Sequence, residues 1–260
     1  MSAYVTTAVL LRGVEYGEHD LIVTWFTRAA GKVSTLAKNA KKSTRRFGGA
    51  LDLFSLCEIV YGFGKRGRLP ILHEALSKKP FAFIREDVVR TAYASYWTEM
   101  VALWMEEGQP AEECFDLLEF VLDGLDRDGA PEDLHLLFQL RFLRMAGFMP
   151  NLSSCVACGG FLENMAGQGI GFDVPRGGIL CAACTTPDKE AGLGVGVVRQ
   201  LLWMAEKDLL LATRTRFRPG AAQRCLAVLE AFVPYHLGAE PRSLGFIRQM
   251  RRRGAMNKAG

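Results

Sequence analysis

Cys155-Val156-Ala157-Cys158 and, 22 residues further on, Cys181-Ala182-Ala183-Cys184 form the most legible stretch of this 260-residue chain. Two C-x2-C pairs suit one zinc ion, because each pair wraps one edge of a tetrahedron and the spacer brings the second edge round. The spacer reads as a hairpin: Gly171-Phe172-Asp173-Val174 and Ile179-Leu180 flank the turn-prone Pro175-Arg176-Gly177-Gly178 and return Cys181 beside Cys158. Gly159 suits the tight turn of a metal knuckle. The expectation is one structural Zn2+ held by Cys155, Cys158, Cys181 and Cys184, in a module spanning residues 151–190. A redox C-x-x-C pair, or reduced cysteines without metal, is the alternative. Only Arg176 is cationic between Cys155 and Cys184, so the module is expected to support the fold without engaging a polyanion.

Outward from this insert the chain reads as helix on both sides. On the N-terminal side, Phe81 to Glu107, Pro110 to Asp128 and Pro131 to Gly147 are separated by Gly108-Gln109-Pro110 and Gly129-Ala130-Pro131, each proline suiting a first helical turn. Leu117, Leu118, Val121, Leu122 and Leu125 recur at helical spacing, and the stripe Trp97, Met100, Val101, Trp104, Met105 reads as core. On the C-terminal side, Val195 to Thr213 and Gly220 to Leu237 are helical, joined by the basic Arg214-Thr215-Arg216-Phe217-Arg218-Pro219. A helical domain over residues 81–150 and 191–253, interrupted by the cysteine module, follows. Arg248, Arg251, Arg252 and Arg253 near the end are a second polyanion candidate, and residues 254–260 are expected to be a disordered tail. Cys57, Cys114 and Cys225 stand alone in apolar segments and read as buried small hydrophobes.

Further out, residues 1–80 change period. Tyr4 to Leu11 puts Val5, Thr7, Val9 and Leu11 on one side; Leu21 to Phe26, Lys32 to Ala37, Leu51 to Phe63 and Leu69 to Leu76 are further β runs. Five short strands in about 80 residues suit a small barrel, and the five-stranded OB-fold that binds oligonucleotides is the natural reading, with an SH3-like barrel left open by strand counting. The fold class is α+β multidomain: an N-terminal OB-fold β-barrel, then an α-helical domain with the inserted zinc module.

Charge is segregated along the chain. Residues 1–80 carry 13 Lys+Arg against 6 Asp+Glu, a net of +7; residues 81–150 carry 5 against 14, a net of −9; residues 151–260 carry 14 against 8, a net of +6. Two basic modules flank an acidic one, which points to a polyanion partner for the outer two. The densest cationic stretch joins the third strand to the fourth: Lys32, Lys38, Lys41, Lys42, Arg45 and Arg46 occur without an intervening acid. Such a segment is expected to be flexible until an anion neutralises it, and phosphate backbone is the obvious anion. Lys65, Arg66 and Arg68 form a second basic loop. Phe47, Tyr61 and Phe63 offer stacking faces for bases, although such aromatics are more often core, and the core is the expected place of Phe63 above all.

Catalysis finds few residues. Four thiolates leave a zinc ion no open position, His19, His73, His135 and His236 are scattered, and no phosphate-loop, nucleophile-elbow or deaminase motif is present. Glu15, Glu18 and Asp20 read first as a solvated turn or as charge partners for the basic loop, with a metal-dependent nuclease site as the alternative. A zinc-ribbon interaction protein without DNA affinity is the other alternative. No signal peptide and no apolar run of spanning length occur, so the expectation is a cytoplasmic, nucleoid-associated protein that is not an enzyme and has no membrane partner.

The order of these parts resembles the bacterial DNA repair and recombination mediator family RecO. The resemblance is carried by Val9-Leu10 with Tyr16-Gly17-Glu18-His19-Asp20, Phe26-Thr27 before Gly31-Lys32, Lys38 through Arg46 with Gly49-x-Leu51, and His236-x-Gly238 with Arg242-Ser243. It implies an OB-fold that binds ssDNA and dsDNA, anneals complementary strands, and works with RecR to place RecA on DNA covered by single-stranded DNA-binding protein, SSB. It also implies DNA contacts at Lys38, Lys41, Lys42, Arg45 and Arg46. Some members of the family lack the four cysteines, which implies a supporting role for zinc. The acidic C-terminal tail of SSB is expected on the C-terminal half, where a basic or apolar groove would receive it.

Overall fold

The computed structural model describes residues 3–64, 69–129, 132–165, 167, 169–218 and 220–257. Packing gathers the chain into two compact units, Met1–Gly129 and Ala130–Gly260.

In the first unit five strands, β1 (Ala3–Tyr16), β2 (Asp20–Thr27), β3 (Gly31–Ala37), β4 (Leu56–Gly62) and β5 (Ile71–Lys79), close a barrel in the order β1-β2-β3-β5-β4. The 14-residue β1 serves two partners: its first half pairs with β4 from Ala3↔Gly62 to Val9↔Leu56, and its second half with β2 to Tyr16↔Asp20. A register shift between Leu10 and Arg12 lets one strand bend round both. Closure is the parallel pairing Leu36↔Ile71 of β3 with β5. A β3 neighbour that is β5 instead of β4 makes this the OB order and removes the SH3-like meander.

Ala8, Leu10, Val23, Trp25, Val33, Ala37, Cys57, Ile59, Tyr61, Leu72 and Ala75 fill the barrel, joined by Phe47 and Ala50 from the β3–β4 connection. The indole of Trp25 donates to Thr35 Oγ1 at 3.0 Å, so its polar edge is satisfied inside the barrel. The opposite side of β1 is only partly covered: Val9 and Leu11 are buried while Val5 is 63% exposed. Phe54 adopts a left-handed φ of 72°, which ends the expected run from Leu51 before β4 can begin at Leu56.

Helices α1 (Thr44–Phe47), α2 (Ala82–Glu86), α3 (Val88–Trp104) and α4 (Glu112–Asp128) belong to the same unit. One expected helix from Phe81 is therefore two. Asp87 is the reason: its carboxylate accepts from the N–H groups of Val89 and Arg90 at 2.7 and 2.9 Å and starts a new helix. Phe26 meets Phe115 of α4 with ring centroids 5.8 Å apart. Lys79 reaches Glu119 and Asp123 of α4 at 3.1 Å each, and Arg28 pairs with Asp116 and Glu119. Asp116, Glu119 and Asp123 are thus counter-charges of the barrel. The packing boundary near residue 129 differs from the change of sequence period at Pro80, because α3 packs on β1 and α4 on α3.

The second unit holds α5 (Glu132–Met145), the strands β6 (Ile170–Asp173), β7 (Gly178–Leu180) and β8 (Glu190–Leu193) in the order β7-β6-β8, and the helices α6 (Val195–Glu206), α7 (Leu209–Ala212), α8 (Ala221–Leu237) and α9 (Arg242–Asn257). α5 packs against α6 and α8, so the insert interrupts this group of helices in sequence while leaving it contiguous in space. The expected helix Val195–Thr213 breaks at Asp208, whose carboxylate caps α7 through Leu210 N. α9 runs to Asn257, past the start of the expected tail at residue 254; residues 258–260 lie outside the described residues. Two tail arginines are consumed by α8: buried Glu230 takes Arg251 at 2.5 Å and Arg248 at 3.5 Å.

Candidate nucleic-acid interface and four-cysteine centre

The basic connection after β3 is folded, contrary to the expectation of a flexible polycation. Phe47, 4% exposed, and Ala50, fully buried, plug it into the barrel core, and Asn39, at a left-handed φ of 52°, donates its N–H to Asp20 Oδ1 at 2.7 Å. Arg46 donates to Ser43 Oγ and to the Lys38 carbonyl at 2.9 and 2.6 Å, and its guanidinium lies 4.7 Å above the Phe47 ring. Lys41 pairs with Glu15 at 2.8 Å, and its N–H donates to the His19 carbonyl. Glu15 and Asp20 are therefore charge and hydrogen-bond partners of the loop. Among the described residues the four cysteines are the one group of three or more His, Cys, Asp or Glu arranged to hold a metal, so Glu15, Glu18 and Asp20 do not converge.

The cations sort into three sets. Lys38, Lys42 and Arg45 are exposed and have no acidic partner among the described residues. Lys32, Lys41 and Arg46 are engaged: Lys32 Nζ donates to the Ala102 carbonyl at 2.8 Å, where a cation suits the C-terminal turn of α3. Lys65, Arg66 and Arg68 lie outside the described residues.

Of the three aromatics only Phe63 departs from the core place expected of it. Phe47 and Tyr61 are buried and Phe63 is exposed. A residue missed in the sequence, Tyr4, is also exposed; its ring stacks on Tyr61 at 5.6 Å and meets Phe63 edge-on at 5.6 Å. Tyr4 pairs directly with Tyr61 across β1 and β4, so the three rings run from the buried Tyr61 to the exposed Tyr4 and Phe63. Cross-strand register was the missing signal, and single-strand periodicity does not contain it.

In the second unit the hairpin β6–β7 forms as its sequence indicates, with Gly171↔Leu180, Phe172↔Ile179 and Asp173↔Gly178 in register. Gly177, at φ 77°, makes the turn, and Asp173 accepts from Arg176 N and from Lys189 Nζ at 3.0 and 2.8 Å. The turn after Cys155 is closed by Gly159 N to the Cys155 carbonyl at 2.9 Å and Cys155 N to the Gly160 carbonyl at 2.8 Å; that after Cys181 by Cys184 N and Thr185 N to the Cys181 carbonyl, both 3.0 Å. All four Sγ atoms lie within 4.8 Å of one another, and Cys158 and Cys181 are 3.8 Å apart. A tetrahedral thiolate site with metal–sulfur bonds of ~2.3 Å has edges of about 3.8 Å, so the cluster could hold a metal ion. Burial opposes ionisation of Cys155, yet the N–H groups of Cys181, Cys158 and Ala157 hold its thiol down at about 6, while hydrogen bonding to Cys181 and Cys158 drives Cys184 up to about 12. Four crowded sulfurs ionise together only around a cation. Cys57, Cys114 and Cys225 take no part; burial pushes each up to about 12.

Fold and centres define a class: an OB-barrel protein with a basic β3–β4 connection, followed by a helical unit that carries a four-cysteine centre. Residues 1–81 match the N-terminal family profile of recombination protein O and residues 85–245 its C-terminal profile. The chain belongs to the recombination protein O family. It is 47% identical over 258 residues to a DNA repair protein RecO of Desulfatibacillum aliphaticivorans, covering 97% of this chain and 99% of that one. Identity to the DNA repair proteins RecO of Desulfosudis oleivorans and Myxococcus xanthus is 38% and 34%, with 96% of this chain and 99% of each relative covered.

Proposed function

We propose that this protein acts in DNA repair as a non-enzymatic mediator that binds single- and double-stranded DNA, anneals complementary strands and, with RecR, helps place RecA on SSB-covered DNA. The observation that carries the DNA contact is the set Lys38, Lys42 and Arg45, exposed and without acidic partners among the described residues, on a loop that is already folded. Cations on a loop already folded engage phosphates at the cost of side-chain ordering alone, and they neutralise backbone repulsion while leaving base edges free to pair. Lys65, Arg66 and Arg68 are further DNA contacts in this reading, and Tyr4 and Phe63 supply ring faces for unpaired bases. Lys32, Lys41 and Arg46 act by holding the loop. We take the site to be cytoplasmic and nucleoid-associated. Trp203, 47% exposed with Lys207 over its ring at 4.9 Å, combines the apolar and cationic features that the SSB tail would use.

The four-cysteine centre is assigned to one structural Zn2+. Thiolate softness, four-fold coordination and its distance in character from the basic loop favour support of the fold over chemistry.

The test is binding of a labelled single strand across a salt series with K38Q/K42Q/R45Q. Each single-strand contact carries a slope of ~0.7 in log K against log salt, so the slope is expected to fall by about 2, with annealing slowed in parallel. An unchanged slope would remove the loop from the interface.

A further inference from the structure

We propose that His236 is a positioning residue of the four-cysteine centre: from the last turn of α8 it fixes the turn of the β6–β7 hairpin, so that metal affinity and the order of that helix end are coupled. This rests on the reading that the centre takes one structural Zn2+, and names a residue outside the cysteines on which the ion depends.

His236 stands where helix and hairpin meet. Its ring stacks on Phe232 with centroids 4.1 Å apart, and Phe232 in turn meets Phe172 of β6 edge-on at 5.9 Å. The Nε2 atom lies 2.7 Å from the Val174 carbonyl; a carbonyl only accepts, so Nε2 carries the proton and donates. The same carbonyl takes Gly177 N at 3.1 Å, which makes the His236 bond part of the turn itself. Gly177 packs against the imidazole, since an added Cβ there would lie 3.7 Å from Cε1 and 3.9 Å from Nε2.

From that turn the constraint passes to sulfur through the backbone. The Gly177 carbonyl accepts from Asn151 N at 2.8 Å, the Asn151 carbonyl from Ile179 N at 3.0 Å and the Ile179 carbonyl from Val156 N at 2.9 Å, so β7 is laced to the segment that carries Cys155. Cys181 directly follows β7 and donates its N–H to Cys155 Sγ at 3.4 Å. A hairpin free to shift at its turn would move Cys181 against Cys155, and a metal site tolerates only about 0.2 Å in its bond lengths.

The helix side of this joint needs support in return. Pro234 has no N–H, so the Glu230 carbonyl loses its donor within α8 and takes Arg248 of α9 at 2.7 Å instead. With one rung of the ladder missing, contacts from outside the helix carry more of the order of its last turn, and His236 supplies one. Coupling between two sites is reciprocal: if His236 raises the affinity for the ion, the ion orders the end of α8 by the same factor.

The test uses the full-length chain with H236A, with H236F, which keeps the stacked ring and loses the donor, and with L137A, which removes a fully buried side chain of α5 and weakens the same unit. Zinc affinity, measured by competition with a chromogenic chelator, is expected to fall about fivefold in H236F, for the hydrogen bond alone, and about thirtyfold in H236A, which loses the ring contact as well. In L137A it is expected to hold. Hydrogen exchange at residues 232–238 is expected to quicken on chelation in the unsubstituted protein, and in H236A to be fast with or without zinc. H236F carries the test if H236A fails to fold. Unchanged zinc affinity in the His236 variants overturns the inference and leaves the zinc reading standing. An equal fall in L137A also overturns it, because the effect is then one of general stability. Absence of zinc uptake by the unsubstituted protein overturns both.

Discussion

Gly31 occupies a position no side chain fits. Its φ is 62°, and an added Cβ would lie 1.8 Å from the Gln109 carbonyl oxygen, because the β2–β3 turn docks on the segment after α3 through Gly108 N to the Lys32 carbonyl at 3.0 Å. Gly31→Ala is expected to destabilise the first unit by more than about 2 kcal/mol, read as a shifted denaturation midpoint, since left-handed strain and a backbone collision add. Arg46 shows the same dependence on surroundings. Arg46→Lys keeps the charge but loses the fork that spans Ser43 and Lys38, so it is expected to cost stability of order 1 kcal/mol with little change in the salt slope. In sequence Arg45 and Arg46 are indistinguishable; the packing of Phe47 turns one to solvent and the other inward.

That β1 is a strand was legible, and its burial pattern was not. Val9 and Leu11 are buried, as are Ala8 and Leu10 between them, because β1 packs inward on the barrel and outward where helices cover it. A strand covered on both faces loses the period that sequence reading relies on. The cysteine hairpin was legible in full, since its glycines, proline and cysteines are all local signals; β8 was not, because it is a strand only by pairing with β6. For this module, Cys155→Ser or Cys181→Ser is expected to lower bound zinc and thermal stability together, while the salt slope of DNA binding by the folded fraction stays unchanged. Elemental analysis beside calorimetry checks the first; a lost slope with stability intact would contradict the second.

The whole molecule should be acid-sensitive through its second unit. His135 is fully buried, and desolvation holds it at about 4, despite Glu230 at 3.6 Å, against an ordinary value near 6.5. Between those values the unfolded chain takes up a proton that the folded chain refuses, so stability falls as pH falls, by about 2 kcal/mol from pH 7 to 5. Burial would raise the Glu230 carboxyl, but His135 and Arg251 hold it below its usual range; hydrogen bonding from Lys189 does the same for Asp173. Both contribute stability that is present above the ordinary carboxylate range and lost on acidification, the same direction as His135. Denaturant titrations at pH 7 and pH 5 are expected to show the fall, and His135→Gln to diminish it.

The sequence by itself determined the strand-rich and helix-rich halves, the four-cysteine hairpin and the location of the cationic runs. Those are local properties: turn residues, hydrophobic period and ligand spacing. Only the tertiary structure decided the OB strand order, the assignment of α2–α4 to the barrel's unit, and which arginines and lysines remain free. Strand pairing and ion pairing join residues distant in sequence, such as Leu36 with Ile71 and Lys79 with Asp123, and their energies depend on burial and approach that no local pattern encodes.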